Sequence, residues 1–111
     1  MIDEVLGKPT RIRILMALWQ YGELNLTALA KRLRANYSEL KNHIQELARY
    51  GIVEEIRFGR SRIVKLKKEE HIVKLVQALM EAEKALTTLI KTENTENNLK
   101  KGSYFFLPRS L

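Results

Sequence analysis

The stretch Asn36-Tyr37-Ser38-Glu39-Leu40-Lys41-Asn42-His43-Ile44-Gln45-Glu46-Leu47-Ala48-Arg49-Tyr50-Gly51-Ile52-Val53 decides the fold. Tyr37, Leu40, Ile44 and Leu47 step by three, four and three, the spacing of one buried face of a helix. Asn36 is a good N-cap, and with Glu39 three residues on it approximates a capping box. Tyr50-Gly51 closes this helix, and directly afterwards the period falls to two. Ile52 to Phe58 reads as a strand, Gly59-Arg60-Ser61 as a turn and Arg62 to Lys67 as a second strand, with Val64 and Leu66 on one face. The pair is a hairpin with a basic tip.

Upstream, Pro9 suits a first helical turn. Ile12, Leu15, Met16 and Trp19 recur at helical spacing, with Ile14, Leu18 and Tyr21 widening the apolar face. The expected helix spans about residues 9–21, ends at Gly22 and packs centrally, with Trp19 in the core. Leu26, Leu29, Ala30 and Leu33 form a second, shorter stripe capped by Thr27 or Asn25. Only Arg34-Ala35-Asn36 separates it from the decisive helix, which is a helix-turn-helix spacing.

Downstream, Ile72, Leu75, Leu79, Ala82, Leu86 and Leu89 alternate steps of three and four, and Val76, Met80 and Ile90 thicken the seam. These positions predict a helix of about 22 residues. Thr92–Ser103 reads as a polar linker or frayed tail, and Tyr104–Leu107 as an apolar patch that docks on a partner subunit, binds another protein or stays disordered. The expected organisation is a DNA-binding unit at 1–68, a coiled-coil dimerisation helix at 69–93 and a linker with apolar tail at 94–111. The fold class is mostly α with a small β-hairpin (α+β): a winged helix-turn-helix in the order α-α-α-β-β, followed by a long C-terminal helix.

The chain has 111 residues and a net charge of +7, unevenly distributed. Residues 8–68 hold fourteen basic and five acidic residues, whereas residues 69–111 hold six of each. A solubilising coat has no reason to be partitioned this way; a binding face does. Within it, Arg57, Arg60, Arg62, Lys65, Lys67 and Lys68 follow one another without an intervening acid. No cysteine is present, which excludes disulfide scaffolds, thiolate metal sites and cysteine nucleophiles. No Gly-rich phosphate loop, metal-ligand spacing or nucleophile with a partnered base stands out. Glu54-Glu55 lies on a strand, so its carboxylates point to opposite faces and cannot share one site. The expectation is a non-enzymatic protein without cofactor or metal. Lacking a signal peptide or a membrane-length apolar run, it is expected in the cytoplasm, associated with the nucleoid.

Residues Lys41 to Val53 resemble the winged-helix regulators of the ArsR and MarR type. Those run through a His-Leu pair, a further Leu and then Gly-Leu-Val into the wing; here His43-Ile44, Leu47 and Gly51-Ile52-Val53 fill the places, and Gly59-Arg60 resembles the wing turn. The resemblance covers about residues 9–68 and implies a dimeric DNA-binding transcriptional regulator. The long fourth helix resembles that of small archaeal winged-helix chromatin proteins that dimerise through a coiled coil. Metal-sensing members use cysteines that this chain lacks.

An α-helix fits the major groove, and a basic wing follows the backbone or enters the minor groove. The expected contacts to double-stranded DNA are Asn36, Tyr37, Ser38, Lys41, Asn42, Gln45 and Arg49 of the recognition helix 37–50, and Arg57, Arg60 and Arg62 of the wing 57–65. Asn42 and Gln45 can read adenine bidentately; Lys41, Arg49 and Ser38 can bind phosphate. Tyr37 is either a core anchor or a backbone contact. His43 is expected as a structural histidine at the core edge. The expected homodimer interface is Ile72, Leu75, Val76, Leu79, Ala82, Leu86 and Leu89. The alternatives are a nucleoid-like architectural binder and a winged-helix protein-interaction module.

Overall fold

The computed structural model describes the backbone of residues 1–99 and the side chains of residues 1–92. The apolar tail patch at 104–107 lies outside the described residues. The elements run α1 (Ile2–Leu6), α2 (Pro9–Tyr21), β1 (Leu24–Asn25), α3 (Leu26–Leu33), α4 (Tyr37–Arg49), β2 (Val53–Phe58), β3 (Ser61–Leu66) and α5 (Glu70–Leu99). The expected α-α-α-β-β order and long final helix are all present. Two elements were not expected: the short α1, and β1, which turns the hairpin into an antiparallel three-stranded sheet of order β1-β3-β2.

Two compact units divide the chain, Met1–Gln77 and Ala78 onward, so the first seven residues beyond Glu70 belong to the winged-helix unit. Its core is made by Ile14, Leu15 and Leu18 of α2, Leu26 and Leu29 of α3, Leu40, Ile44 and Leu47 of α4, Val53 and Val64 of the sheet, and Ile72 and Val76 of α5. Helix α5 continues to Leu99, past the expected end near residue 93, with no proline or glycine inside it. In the second unit it displays Leu86 and Leu89, each 39% exposed.

The buried face of α2 differs from the expected one. Trp19 is 38% exposed and Tyr21 is exposed as well, whereas Arg11 is only 7% exposed. The buried stripe is Arg11, Ile14, Leu15 and Leu18, rotated by roughly 90° around the helix from the stripe Ile12–Trp19. Arg11 can occupy the core because its polar atoms are satisfied there. Its Nη1 donates to the Val5 carbonyl at 2.9 Å, and its Nε donates to His43 Nδ1 at 3.1 Å.

The sheet register places Val53, Glu55 and Arg57 on the same face as Leu66, Val64 and Arg62, their cross-strand partners. Glu54 falls on the other face and pairs with Lys65 and Lys67 at 3.6 and 3.5 Å, so the two adjacent glutamates are separated as the strand period requires. The hairpin turn Gly59-Arg60 has φ +58° at Gly59 and no positive φ at Arg60. This fits a type II′ turn, which takes glycine at its first central position.

Candidate nucleic-acid interface

Helix α4 is held at its start and along one side. Asn36 Oδ1 accepts from the Glu39 N–H at 3.1 Å, so the N-cap forms as expected. Asn25 caps α3 in the same way, accepting from Ala28 N–H at 2.7 Å. The connection between α3 and α4 is tight because Arg34 adopts a left-handed conformation, φ 52°, while the Ala35 N–H returns to the Ala30 carbonyl at 3.0 Å. Arg13 of α2 clasps this turn from below, its Nη2 donating to the Leu33 carbonyl at 2.6 Å. The geometry of the two helices is thus fixed by three side chains: Asn36 and Asn25, both caps the sequence offers, and Arg13, which it does not single out.

Leu40, Ile44 and Leu47 are fully buried against the core, which orients the rest of α4. Ser38, Asn42, Gln45 and Arg49 are all exposed. Their spacing of four, three and four places them within an arc of about 60°, opposite the buried leucines and isoleucine. They form one stripe, not a scatter over the helix surface. Lys41 flanks it on one side, half-buried, and Glu39 and Glu46 flank it on the other. Arg49 lies 3.6 Å from Glu46, an exposed contact of little energetic weight. Tyr37, expected either as a core anchor or as a backbone contact, is exposed.

The wing carries its arginines in two states. Arg57 and Arg60 are exposed and have no ion pair among the described residues. Arg62 is mostly buried and lies 3.5 Å from Glu55. Arg57 and Arg62 are direct cross-strand partners, a like-charge juxtaposition that the diagonal Glu55 relieves. Arg62 therefore sits within the wing as a support, while Arg57, Arg60 and the exposed Phe58 define its tip.

His43 stands half-buried at the core edge, as expected. Burial first, then the Arg11 and Lys8 charges, lower its pKa below the ordinary 6.5, outweighing the opposite influence of Glu39. Of the expected interface residues of the last helix, Ile72 and Val76 are already buried in the winged-helix unit. Leu79 is half-buried, and Ala82, Leu86 and Leu89 are exposed. Among the described residues, no cluster of three or more His, Asp or Glu side chains could hold a metal ion, and no helix is long and apolar enough to cross a membrane.

A family model described as a helix-turn-helix domain matches residues 6–56. No curated protein sequence matches the chain. Among solved structures, the AntR antimony-specific transcriptional repressor is 27% identical, with 76% of each chain covered and a TM-score of 0.64. Reduced HlyU from Vibrio cholerae N16961 is 22% identical, covering 73% of this chain and 83% of its own, with a TM-score of 0.66. The homodimeric winged helix-turn-helix DNA-binding domain of a possible ArsR-family transcriptional regulator from Mycobacterium bovis is 24% identical, with 75% of each chain covered and a TM-score of 0.63. Residues 6–56 thus match a helix-turn-helix model, and the chain has the winged helix-turn-helix fold that these solved structures share.

Proposed function

We propose that this chain is a sequence-specific, duplex-DNA-binding transcriptional regulator that acts as a homodimer on the nucleoid. One observation carries the reading: Ser38, Asn42, Gln45 and Arg49 form a single exposed stripe on a capped, rigidly seated helix. Such a stripe can enter a major groove. Asn42 and Gln45 offer amide groups of the kind that pair with adenine, and Ser38, Lys41 and Arg49 bind the flanking phosphates. The Nδ2 end of Asn36, whose Oδ1 caps the helix, and the exposed Tyr37 hydroxyl meet the backbone where the helix enters. Arg57 and Arg60 follow the backbone or reach into the minor groove, and Arg62 keeps the wing in shape.

The exposed Leu86 and Leu89, with Ala82 and the half-buried Leu79, supply an apolar seam for a second copy. Ile72 and Val76 then contribute by anchoring α5 to the winged-helix unit, and Leu75 by extending the seam. Two recognition helices presented by a symmetric dimer match half-sites about 34 Å apart. AntR and the Mycobacterium bovis protein, described as a repressor and a homodimeric DNA-binding domain, support this reading by likeness of fold.

Selection of bound sequences from random duplex DNA tests it. A regulator yields a sharp, pseudo-palindromic motif, and an architectural binder yields a flat result. Absence of any DNA recovered at low salt contradicts the reading and leaves a protein-interaction module.

A further inference from the structure

The winged-helix unit contains a cavity of about 570 Å³ that takes no part in the DNA reading. It lies beside the C-terminal end of α2, the end of β3 and the first turn of α5. Leu18, Trp19, Leu66 and Val73 give it an apolar lining. Trp19 and Val73 are both among the exposed large hydrophobic residues of the unit, so water meets an aromatic and an aliphatic surface at the same place. Its size is that of a small-molecule site, and an apolar lining with a few converging charges is the usual make-up of one.

The charges on its lining are Lys65, Lys67, Lys68 and Glu23. Lys65 and Lys67 share a single carboxylate, Glu54, at 3.6 and 3.5 Å. Lys68 is exposed and has no ion pair among the described residues. The lining thus carries three lysines and one glutamate, and Glu54, outside the lining, pairs with two of those lysines; counted together, one positive charge remains in surplus beside an apolar wall. A neutral solute leaves that charge without a partner, and a cation meets repulsion.

We propose that this cavity binds a small amphipathic monoanion, such as a medium-chain carboxylate, with its apolar body against Trp19 and Val73 and its carboxylate at Lys68. The proposal does not depend on DNA binding. Trp19 is the only tryptophan in the chain, so its emission reports directly on the cavity.

The test is titration of the full chain with octanoate, followed by Trp19 fluorescence, with octanol and octylammonium as neutral and cationic probes of equal length. The expected result is a saturable blue shift with octanoate, and binding weaker by about fivefold or more for both other probes. Lys68→Glu, a substitution at an exposed position between elements, should weaken octanoate by a similar factor while leaving the melting temperature unchanged. Val73→Asp should weaken it as well, by placing a carboxylate on the apolar wall. A response that does not saturate, equal binding of all three probes, or full octanoate affinity in folded Lys68→Glu would each overturn the proposal.

Discussion

Arg11 Nε donates a 3.1 Å hydrogen bond to His43 Nδ1 across thirty-two residues of sequence, joining α2 to the middle of α4. The bond requires that Nδ1 carry a lone pair, so His43 is neutral with its proton on Nε2. Protonation puts a hydrogen on Nδ1 facing the guanidinium and places two cations in contact. The seating of α4 is thereby coupled to a titratable group.

That coupling predicts a pH dependence of known sign. The pKa of His43 in the folded chain lies below 6.5, so as the pH falls the unfolded chain takes up the proton first. Stability is complete above about pH 6.5 and declines as the pH drops toward the folded pKa. Thermal melts between about pH 7.5 and 5 should show a larger fall in Tm for the native chain than for His43→Gln, which retains an acceptor but does not titrate. Equal slopes would remove His43 from the account.

Arg11 itself should be costly to replace. Its Nη1 holds the Val5 carbonyl at 2.9 Å and reaches the Glu4 carbonyl at 3.5 Å, so it pins α1 to α2. Arg11→Met keeps the apolar length of the side chain but strands buried acceptors. A loss of about 2 kcal/mol is expected, measured by urea unfolding, together with faster amide exchange in α1.

Arg34 offers the opposite case. A left-handed conformation costs a residue with a Cβ roughly 1–2 kcal/mol, a cost that glycine escapes. Arg34→Gly should stabilise the chain by about 1 kcal/mol and raise Tm by about 4 °C or more. Arg34→Ala, which keeps the Cβ, should give no such gain. Equal effects of the two substitutions would show that the turn is not under this strain.

The apolar seam of α5 predicts its own phenotype. Leu86→Asp and Leu89→Asp remove nothing from the core of the winged-helix unit, since both side chains are exposed and lie in the second unit. Sedimentation at micromolar concentration should show the native chain as a dimer and the double variant as a folded monomer. A monomeric native chain would contradict the proposed assembly.

The helix-turn-helix and wing were legible because each is written in short-range periodicity. The step of three and four through Leu40, Ile44 and Leu47, the caps at Asn25 and Asn36, and the shift to a period of two after Gly51 are all local signals. What sequence reading missed depends on tertiary partners. Nothing in the sequence singles out Arg11, because its acceptors, the Val5 carbonyl and His43 Nδ1, are brought to it only by the fold. Trp19 looked like core because the apolar residues of α2 span most of its circumference, and periodicity alone cannot choose the centre of so wide a face. A signal was available: Arg11, Ile14, Leu15 and Leu18 share the spacing of a buried stripe, with the arginine inside it. Strand β1 is two residues long and exists only through its pairing, Leu24 with Val64 and Asn25 with Ile63, so it leaves no periodic trace.

The candidate interface was legible in composition more than in arrangement. Ser38, Asn42, Gln45 and Arg49 were identifiable as polar positions, and their union into one stripe followed once Leu40, Ile44 and Leu47 were seated. The division of the wing arginines was not legible, because the pairing of Arg62 with Glu55 depends on a diagonal contact across the hairpin.

The central claim, that this face binds DNA, is tested most directly by the salt dependence of affinity for duplex DNA. Lys41, Arg49, Arg57 and Arg60 of each protomer are available to neutralise phosphates, so log K should fall against log salt with a slope of about −3.6 or steeper per protomer. Arg57→Ala with Arg60→Ala should flatten that slope by about 2 per protomer, while Asn42→Ala should leave it unchanged and weaken sequence preference. No binding at low salt, or a slope near zero that none of these substitutions alters, would contradict the account.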